Sequence, residues 1–135
     1  MSLINLIEFQ ALGDERGSLI SLEGDINVPF AIKRIYVIYE TKPSVIRGRH
    51  AHKELSQVMI CISGSCDLLL DNGKTKETCR MSSTSPGVLI EGLIWRELSN
   101  FSSDCILLVI ANEIYDELDY IRDYKVFEEM AKTTQ

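Results

Sequence analysis

The sequence contains few of the residues that mark metal or redox proteins. Its 135 residues include two histidines and four cysteines, and no two cysteines are spaced as C-x-x-C. Cys61, Cys66 and Cys105 lie in apolar runs, so we expect buried, reduced thiols of a cytoplasmic protein rather than a metal or disulfide framework. The length predicts a single domain over residues 1–135, because about 150 residues per domain is usual.

Long apolar runs and an excess of positive charge are also missing. The longest apolar run, Cys105 to Ala111, is far too short to cross a bilayer, and no charged-then-apolar leader opens the chain. Lys and Arg total 14 against 20 Asp and Glu, a formal net charge of −6. This balance argues against a nucleic-acid groove, although a few local arginines are enough to hold a nucleotide-sized ligand. We therefore expect neither a membrane nor a nucleic acid as partner.

Short strand-like segments separated by turn signals fill most of the chain. About ten of them occur between residues 3 and 112, with a turn signal roughly every 8–12 residues. One turn spans Gly13–Gly17, and the pair Asn72-Gly73 gives the strongest hairpin signal because both residues accept positive φ. This spacing predicts an all-β sandwich or barrel. From about residue 116 to 133 the apolar residues follow helical spacing, which predicts a short C-terminal helical segment.

The segment Arg47–Lys53 (RGRHAHK), followed by Gln57, contains both histidines of the chain. His50 and His52 are two residues apart, and residues i and i+2 of a strand lie on the same face. Both imidazoles are therefore expected to enter one shared space. Histidine is the side chain whose ordinary pKa, about 6.5, allows acid–base chemistry near neutral pH.

A histidine strand followed by a hairpin and a Pro-Gly segment resembles the cupins, whose fold is a double-sheet jelly roll. Metal-binding cupins add a glutamate and a third histidine to the H-x-H pair. Here Gln57 stands at the glutamate position and Trp95 at the histidine position. Two histidines alone rarely hold a catalytic divalent ion, and Arg47 and Arg49 would repel one. We therefore expect no metal, which leaves the histidines free for proton transfer.

More specifically, the chain resembles the nucleotide-sugar 3,4-ketoisomerases of the cupin superfamily nearly from end to end. Those enzymes act on dTDP-4-keto-6-deoxyhexoses in amino-deoxysugar biosynthesis. The stretch RGRHAHKELSQ, from Arg47 to Gln57, is the most specific part of the resemblance. The other shared segments are Asp14–Gly17, Pro29–Tyr36, Ser63–Ser65, Trp95–Glu97, Tyr115–Glu117 and Asp119–Tyr124.

The resemblance implies four active-site residues, which are Arg47, His50, His52 and Tyr36. It also implies a cofactor-free isomerase of a dTDP-linked 4-keto-6-deoxyhexose, and a homodimer that exchanges its N-terminal strands. Moving a carbonyl from C4 to C3 needs a base for carbon and a group that serves oxygen, and two adjacent imidazoles fit this requirement. We expect His50 to take the C3 proton and His52 to move protons at the oxygens or at C4. Arg47 is expected to stabilise the enediolate or to hold a phosphate.

Further arginines are candidates for binding the diphosphate, because a guanidinium matches phosphate oxygens in bidentate fashion. Gln57 is expected to orient a histidine or a ligand hydroxyl. Tyr36 is expected to donate to a ring hydroxyl or to position the sugar. We expect the acidic, aromatic tail from Asp116 to Glu129 to be a packing helix with a solvated face, and its residues are also candidates for covering the nucleotide. The candidate arginines are Arg16, Arg34, Arg49 and Arg96.

Three alternatives remain open at this point. A 3,5-epimerase of jelly-roll fold would abstract protons at C3 and C5 of the same class of substrate. A non-catalytic cupin would bind a nucleotide sugar without exchanging any carbon-bound proton. A metal-dependent cupin oxygenase or isomerase is disfavoured by the missing ligands.

Overall fold

Residues 2–134, described by a computed structural model, form mainly antiparallel β-sheet. Within these residues there are two five-stranded sheets, one separate two-stranded hairpin and one α-helix. The predicted all-β, cupin-type jelly roll with a short C-terminal helical segment is confirmed. The elements are β1 (Asn5–Ile7), β2 (Leu12–Asp14), β3 (Gly17–Leu19), β4 (Arg34–Ile38), β5 (Arg47–His52), β6 (Gln57–Ser63), β7 (Cys66–Asp71), β8 (Lys76–Met81), β9 (Gly87–Ile90), β10 (Trp95–Ser99), β11 (Ile106–Ala111), a 3-10 turn (Glu117–Asp119), β12 (Tyr120–Ile121) and α1 (Tyr124–Thr133).

The two five-stranded sheets enclose the main core. The first sheet has the order β1-β9-β6-β11-β4 and the second the order β12-β5-β10-β7-β8. Strand β6 shows how the first sheet is covered, because five successive residues, Gln57–Cys61, are buried. Met59 enters the cluster between the sheets, and Val58 enters a second cluster on the outer face. Burial on both faces explains why this strand is nearly continuous in apolar residues.

Two local predictions differ from the structure. The turn predicted at Gly13–Gly17 includes parts of strands β2 and β3, which pair as a tight hairpin. The helical segment predicted from about residue 116 begins with the 3-10 turn Glu117–Asp119 and is then interrupted, because Tyr120 pairs with His52 of β5 as part of strand β12. Pairing with a distant strand thus outweighs the helical spacing of the apolar residues in this part of the tail.

Helix α1 begins at Tyr124 because Asp123 caps it. The Asp123 carboxylate accepts hydrogen bonds from the N–H groups of Lys125 and Val126, at 2.8 and 3.3 Å. Phe127 is buried and anchors the helix to the second sheet, where its ring lies 5.7 Å from that of Trp95. Within the described residues, no helix is long and apolar enough to span a membrane.

Candidate active site

The two histidines lie between the two five-stranded sheets. Strand β5 contributes His50 and His52, and strand β10 contributes Arg96, which pairs directly with His50. The opposite sheet contributes Tyr36 from β4 and Gln57 from β6. Residues from both sheets therefore meet at one place.

Two adjoining cavities border this place. The first has a volume of about 440 Å³ and is lined by His50, and the second has a volume of about 540 Å³ and is lined by His52. Tyr115 and Tyr120 border both cavities. Among the described residues, the wall of the first cavity includes four arginines and no acidic side chain, which suits an anionic ligand. These arginines are Arg34, Arg47, Arg96 and Arg122.

A β-bulge in β5 brings Arg47 to the same cavity as His50. The register of β5 against β10 shifts next to Arg96, and Arg49 is the extra residue, with φ of +56° and an exposed side chain. One extra residue reverses the alternation of faces, so Arg47 lines the cavity although three positions separate it from His50. Gly48 permits this path: its φ is +82°, and a Cβ there would lie 3.1 Å from the carbonyl oxygen of Arg96.

Both imidazoles are neutral at neutral pH. Burial, followed by the charge of Arg96, lowers the pKa of His50 from 6.5 to about 4. The same two causes, in the same order, lower the pKa of His52 from 6.5 to about 2. The ring centroids lie 4.8 Å apart in an edge-on arrangement. Each neutral ring has one nitrogen with a lone pair, so both histidines are able to accept a proton.

A buried chain of hydrogen bonds connects Arg96, Gln57 and Tyr36. Arg96 Nη1 donates to Gln57 Oε1 at 2.5 Å, and Gln57 Nε2 donates to Tyr36 Oη at 3.0 Å. Arginine only donates, so it determines which end of the amide faces it. Tyr36 Oη therefore accepts from Gln57 and keeps its own proton for another acceptor. Burial raises the pKa of Tyr36, which keeps this hydroxyl protonated.

Arg96 is a buried charge without a carboxylate partner among the described ion pairs. The residue is 2% exposed, and its second guanidinium contact is a bond from Nη2 to the carbonyl of Ile94 at 2.8 Å. Burial lowers the pKa of Arg96 to about 10. An uncompensated buried charge is unfavourable, so an anionic group of a ligand would supply the missing counter-charge.

Buried nitrogens without a hydrogen-bond partner are concentrated in this region. Within residues 2–134 the unpartnered side-chain atoms are Arg34 Nε, His50 Nδ1, His52 Nε2 and Arg96 Nε. All four residues line one or both of the two cavities. Buried polar groups nearly always have partners, so this set marks the place where a ligand or water would complete the bonding.

The tail segment Tyr115–Arg122 closes one side of the site. The Tyr120 ring packs against both imidazoles, with centroid distances of 4.9 and 4.3 Å. The guanidinium of Arg122 lies 4.3 Å from the Tyr120 ring and donates two hydrogen bonds to Glu117, at 2.7 and 2.9 Å. The sequence indicated this tail through its aromatic and acidic composition and through the shared segments Tyr115–Glu117 and Asp119–Tyr124, but it identified none of these contacts.

Asp119 joins the same tail to the end of the histidine strand. Its Oδ2 lies 3.1 Å from His52 Nδ1, and its Oδ1 accepts from the N–H of Glu54 at 2.9 Å. Its carbonyl accepts from the N–H of Lys53 at 3.1 Å. Sequence reasoning missed this residue, because 67 positions separate it from His52 and no local pattern marks the pairing.

Some of the predicted substrate-binding residues lie at the two cavities and others do not. Arg34 and Arg96 line the first cavity, and Gln57 is fully buried with both ends of its amide bonded inside the protein. Arg16 lies in the β2–β3 hairpin, where its side chain is 85% exposed and pairs with Asp14 at 2.6 Å. Within a single described chain, neither Arg16 nor Arg49 borders either of the two cavities.

The two positions at which metal-binding cupins carry their remaining ligands have other contacts here. Gln57 bonds to Arg96 and Tyr36, and Trp95 Nε1 donates to Glu97 at 2.9 Å. Among the described residues, no group of three or more His, Cys, Asp or Glu side chains is arranged to hold a metal ion.

Comparison with known proteins gives matches over almost the whole chain. Residues 2–132 match the family model described as FdtA: WxcM-like, C-terminal. A TDP-4-oxo-6-deoxy-alpha-D-glucose-3,4-oxoisomerase from Aneurinibacillus thermoaerophilus is 44% identical over 122 residues, covering 90% of this chain and 88% of that protein.

Solved structures agree with this match. The crystal structure of a 3,4-ketoisomerase from Helicobacter canadensis has a TM-score of 0.93 at 46% identity, covering 96% of this chain and 97% of that one. A mutant of the 3,4-ketoisomerase QdtA from Thermoanaerobacterium thermosaccharolyticum, in complex with TDP-4-keto-6-deoxyglucose, has a TM-score of 0.95 at 39% identity. This match covers 98% of the present chain and 96% of the QdtA chain. The resemblance to the sugar 3,4-ketoisomerases and the enzyme class predicted from it are confirmed, and the chain belongs to the FdtA (WxcM-like, C-terminal) family.

Proposed function

We propose that this protein converts a TDP-linked 4-keto-6-deoxyhexose into its 3-keto isomer through an enediol, by metal-free histidine acid–base catalysis. The observation that carries the proposal is the placement of two imidazole rings, 4.8 Å apart, beside the buried guanidinium of Arg96, which has no carboxylate partner among the described ion pairs. The substrate class follows from the relatives. One is named for TDP-4-oxo-6-deoxyglucose, and the QdtA mutant holds TDP-4-keto-6-deoxyglucose.

In the first half of the reaction, His50 removes the proton from C3. The neighbouring C4 carbonyl makes this proton acidic, and the electron pair of the C3–H bond moves into a C3–C4 double bond. The C4 oxygen takes the negative charge and then a proton from solvent, which gives the enediol. His50 is suited to this step because it lines the first cavity and is deprotonated at neutral pH.

Arg96 and Tyr36 stabilise the charge that develops on the oxygen. Arg96 supplies a positive charge with no carboxylate partner among the described ion pairs, and Tyr36 supplies a hydroxyl proton that its bond from Gln57 leaves unused. Fixed donors in a buried site stabilise an oxyanion more strongly than water does. The sequence suggested a diphosphate contact for Arg96, but its depth and its anchor on Gln57 favour the enediolate.

In the second half, C4 gains a proton and the O3 hydroxyl loses one, so that C3 becomes the carbonyl carbon. His52 removes the O3 proton and delivers a proton to C4, while the His50 imidazolium formed in the first half releases its proton to solvent. Two protons leave the sugar and two return, and no electrons are gained or lost overall. The reaction therefore needs no net oxidant or reductant.

The nucleotide diphosphate binds at the arginines on the outer part of the first cavity. Arg34 and Arg122 already lie against aromatic rings, Arg34 at 5.2 Å from the Tyr36 ring and Arg122 at 4.3 Å from the Tyr120 ring. Arg47 is exposed at the start of β5, beside the bulge. Because aromatic rings hold the Arg34 and Arg122 guanidinium groups, these groups offer paired donors to phosphate oxygens at a small cost in side-chain entropy.

A homodimer with exchanged N-terminal strands, which the family resemblance implies, is also proposed. In the single chain β1 pairs with β9, whereas the β2–β3 hairpin pairs with no other described strand. Leu12 and Leu19 of this hairpin are 52% and 57% exposed, and Ile35 and Val37 of edge strand β4 are 56% and 46% exposed. Apolar surface of this extent suits a protein partner. Sedimentation equilibrium should give the mass of two chains, and a monomer at assay concentrations would contradict the proposal.

We propose a cytoplasmic location because the cysteines of the described chain are reduced. The four cysteines are free in the described chain, and three of them are buried. Free buried thiols are typical of a reducing compartment. Fractionation of the producing cells, with enzyme assays of each fraction, tests this location.

The function is tested by proton NMR of TDP-4-keto-6-deoxyglucose incubated with purified, chelator-treated protein. We expect signals of the 3-keto isomer, and their loss with His50→Asn. Inversion at C5 would indicate a 3,5-epimerase, and binding without conversion would indicate a nucleotide-sugar-binding module. Activity that depends on added divalent metal would contradict metal-free catalysis.

A further inference from the structure

The carboxylate of Asp119 is occupied at both oxygens by groups of the protein. Oδ1 accepts from the N–H of Glu54, and Oδ2 lies within hydrogen-bonding distance of His52 Nδ1. The side chains of His52 and Asp119 are 1% and 17% exposed, so bulk water contributes little to their bond. Asp119 therefore contacts His52 directly, and it also borders the second cavity.

This pairing determines which nitrogen of His52 carries the proton. An ionised carboxylate only accepts hydrogen bonds, so the proton between the two groups belongs to Nδ1. A neutral imidazole has a single N–H, and Nε2 then has a lone pair. Nε2 is buried and has no partner among the described residues, as expected of a base whose partner is a ligand. We propose that Asp119 is a positioning residue that keeps the His52 proton on Nδ1 and so makes Nε2 the basic atom.

The tail geometry holds this arrangement in place. Asp119 ends the 3-10 turn, and the next residue, Tyr120, pairs with His52 as strand β12. The bond from the Lys53 N–H to the Asp119 carbonyl fixes the backbone on the same side. The catalytic consequence rests on the proposed function, whereas the tautomer is a property of the free protein and is measured without substrate.

The variant Asp119→Asn should reverse the tautomer. The Glu54 N–H only donates, so it retains the amide oxygen and turns the NH₂ group toward His52. Nδ1 must then accept, and the ring proton moves to Nε2. Replacing the corresponding carboxylate of a Ser-His-Asp triad by an amide lowers kcat by about 10⁴-fold through the same change of tautomer.

The experiment is two-bond ¹H–¹⁵N correlation NMR of the free protein, combined with kinetics. The chain has two histidines, so the spectrum is simple, and His50→Gln assigns the signals. In the unchanged protein we expect His52 with a protonated Nδ1 and an unprotonated Nε2. In Asp119→Asn we expect the reverse, with kcat lowered roughly 10²- to 10⁴-fold and KM changed little.

The matched control is Asp123→Asn, the same acid-to-amide change at the cap of helix α1. Asparagine caps a helix as well as aspartate, so tautomer and kcat should both be unchanged. A protonated Nε2 in the unchanged protein would overturn the proposal, and this result is decisive even if Asp119→Asn does not fold. A reversed tautomer with full kcat would overturn the catalytic consequence. An inactive unchanged protein with the expected tautomer would instead count against the proposed function.

Discussion

The interior between the two sheets is filled in two different ways along the same strands. In β6, buried Gln57 bonds to Arg96, whereas Met59 and Cys61 farther along join the apolar cluster. In β10, Arg96 is followed by Leu98 of that cluster. We call the region of Tyr36, His50, His52, Gln57 and Arg96 the polar end, and the region of Cys61, Leu68, Leu98 and Leu107 the apolar end.

The two ends make opposite contributions to the free protein. At the apolar end, Leu68 and Leu107 are completely buried, and burying a leucine stabilises the fold by about 1.5–3 kcal/mol. At the polar end, Arg96 is buried without a carboxylate partner in the described chain, which is unfavourable until a ligand supplies the counter-charge. The comparison indicates that stability comes mainly from one end and chemistry from the other.

The largest expected effect is the loss of the carbon base at the polar end. His50→Asn should lower kcat by about 10²- to 10⁴-fold, because general base catalysis contributes that much. Its free energy of unfolding should change little, since no hydrogen bond of His50 Nδ1 is lost. Steady-state kinetics and urea denaturation measure the two quantities. Lys53→Gln, an exposed change next to the same strand, is the control and should leave kcat intact.

The reciprocal change lies at the apolar end. Leu68→Ala should lower the free energy of unfolding by about 2–5 kcal/mol, because it removes buried methyl groups and leaves a cavity. The kcat of the folded protein, measured well below its melting temperature, should stay within about twofold. A large fall in kcat with full stability would show that the two ends are not separable.

Arg96→Met should separate charge from packing at the polar end. Removing one donor to an oxyanion lowers kcat by about 10²- to 10³-fold. The free energy of unfolding should fall by less than it does in Leu68→Ala. Removal of the buried charge offsets part of the cost, about 1–3 kcal/mol per group, of leaving the Gln57 Oε1 and Ile94 carbonyl oxygens without a donor. Arg80→Met, at a surface pair with Asp67, is the control and should retain kcat. A stability loss as large as that of Leu68→Ala would contradict our reading of Arg96.

We expect a smaller effect from disturbing the β-bulge. Two glycine variants distinguish this effect from the general cost of a side chain at positive φ. Gly48→Ala and Gly92→Ala both place a side chain at positive φ, which costs about 1–2 kcal/mol. At Gly92 nothing lies within 4 Å of the added Cβ, whereas at Gly48 the Arg96 carbonyl is 3.1 Å away. Gly48→Ala should therefore be the less stable variant and should also lower kcat, by about tenfold or more, because it moves Arg47 and His50. Equal kcat values in the two variants would contradict a role for the bulge.

The last prediction concerns the pH dependence of the free energy of unfolding. The pKa of His50 falls from 6.5 in the unfolded chain to about 4 in the folded protein. As the pH falls from 6.5 to 4, the unfolded chain takes up a proton that the folded protein refuses, so the free energy of unfolding decreases. Urea denaturation across this interval should show a shallower decrease for His50→Asn than for the unchanged protein. Identical pH dependences of the two proteins would show that a group other than His50 takes up the proton.

The sequence predicted the features that depend on local periodicity. The all-β fold follows from short strands and frequent turns, and the shared space of His50 and His52 follows from the two-residue period of a strand. The position of Arg47 beside them does not follow from that period. It depends on the extra residue Arg49 in the bulge, whose positive φ no sequence pattern indicated.

The remaining contacts of the site join residues that are distant in the sequence. Gln57 and Arg96 are separated by 39 positions, and His52 and Asp119 by 67. Such pairs depend on sheet register and tail docking, which composition and periodicity do not determine. Arg16 illustrates the same limit. Its residue type made it a candidate phosphate-binding residue, but in the single chain it lies on the exposed β2–β3 hairpin.

The most direct test of the account is the origin of the hydrogen at C4 of the product. TDP-4-keto-6-deoxyglucose is incubated with chelator-treated protein in D₂O, and the 3-keto product is analysed by proton NMR. The account predicts deuterium at C4, because one group removes the C3 proton and solvent-exchanged groups deliver the new one. Quantitative recovery of the original C3 hydrogen at C4 would contradict this expectation and would indicate that the removed hydrogen is itself delivered to C4, either directly or by a base shielded from solvent.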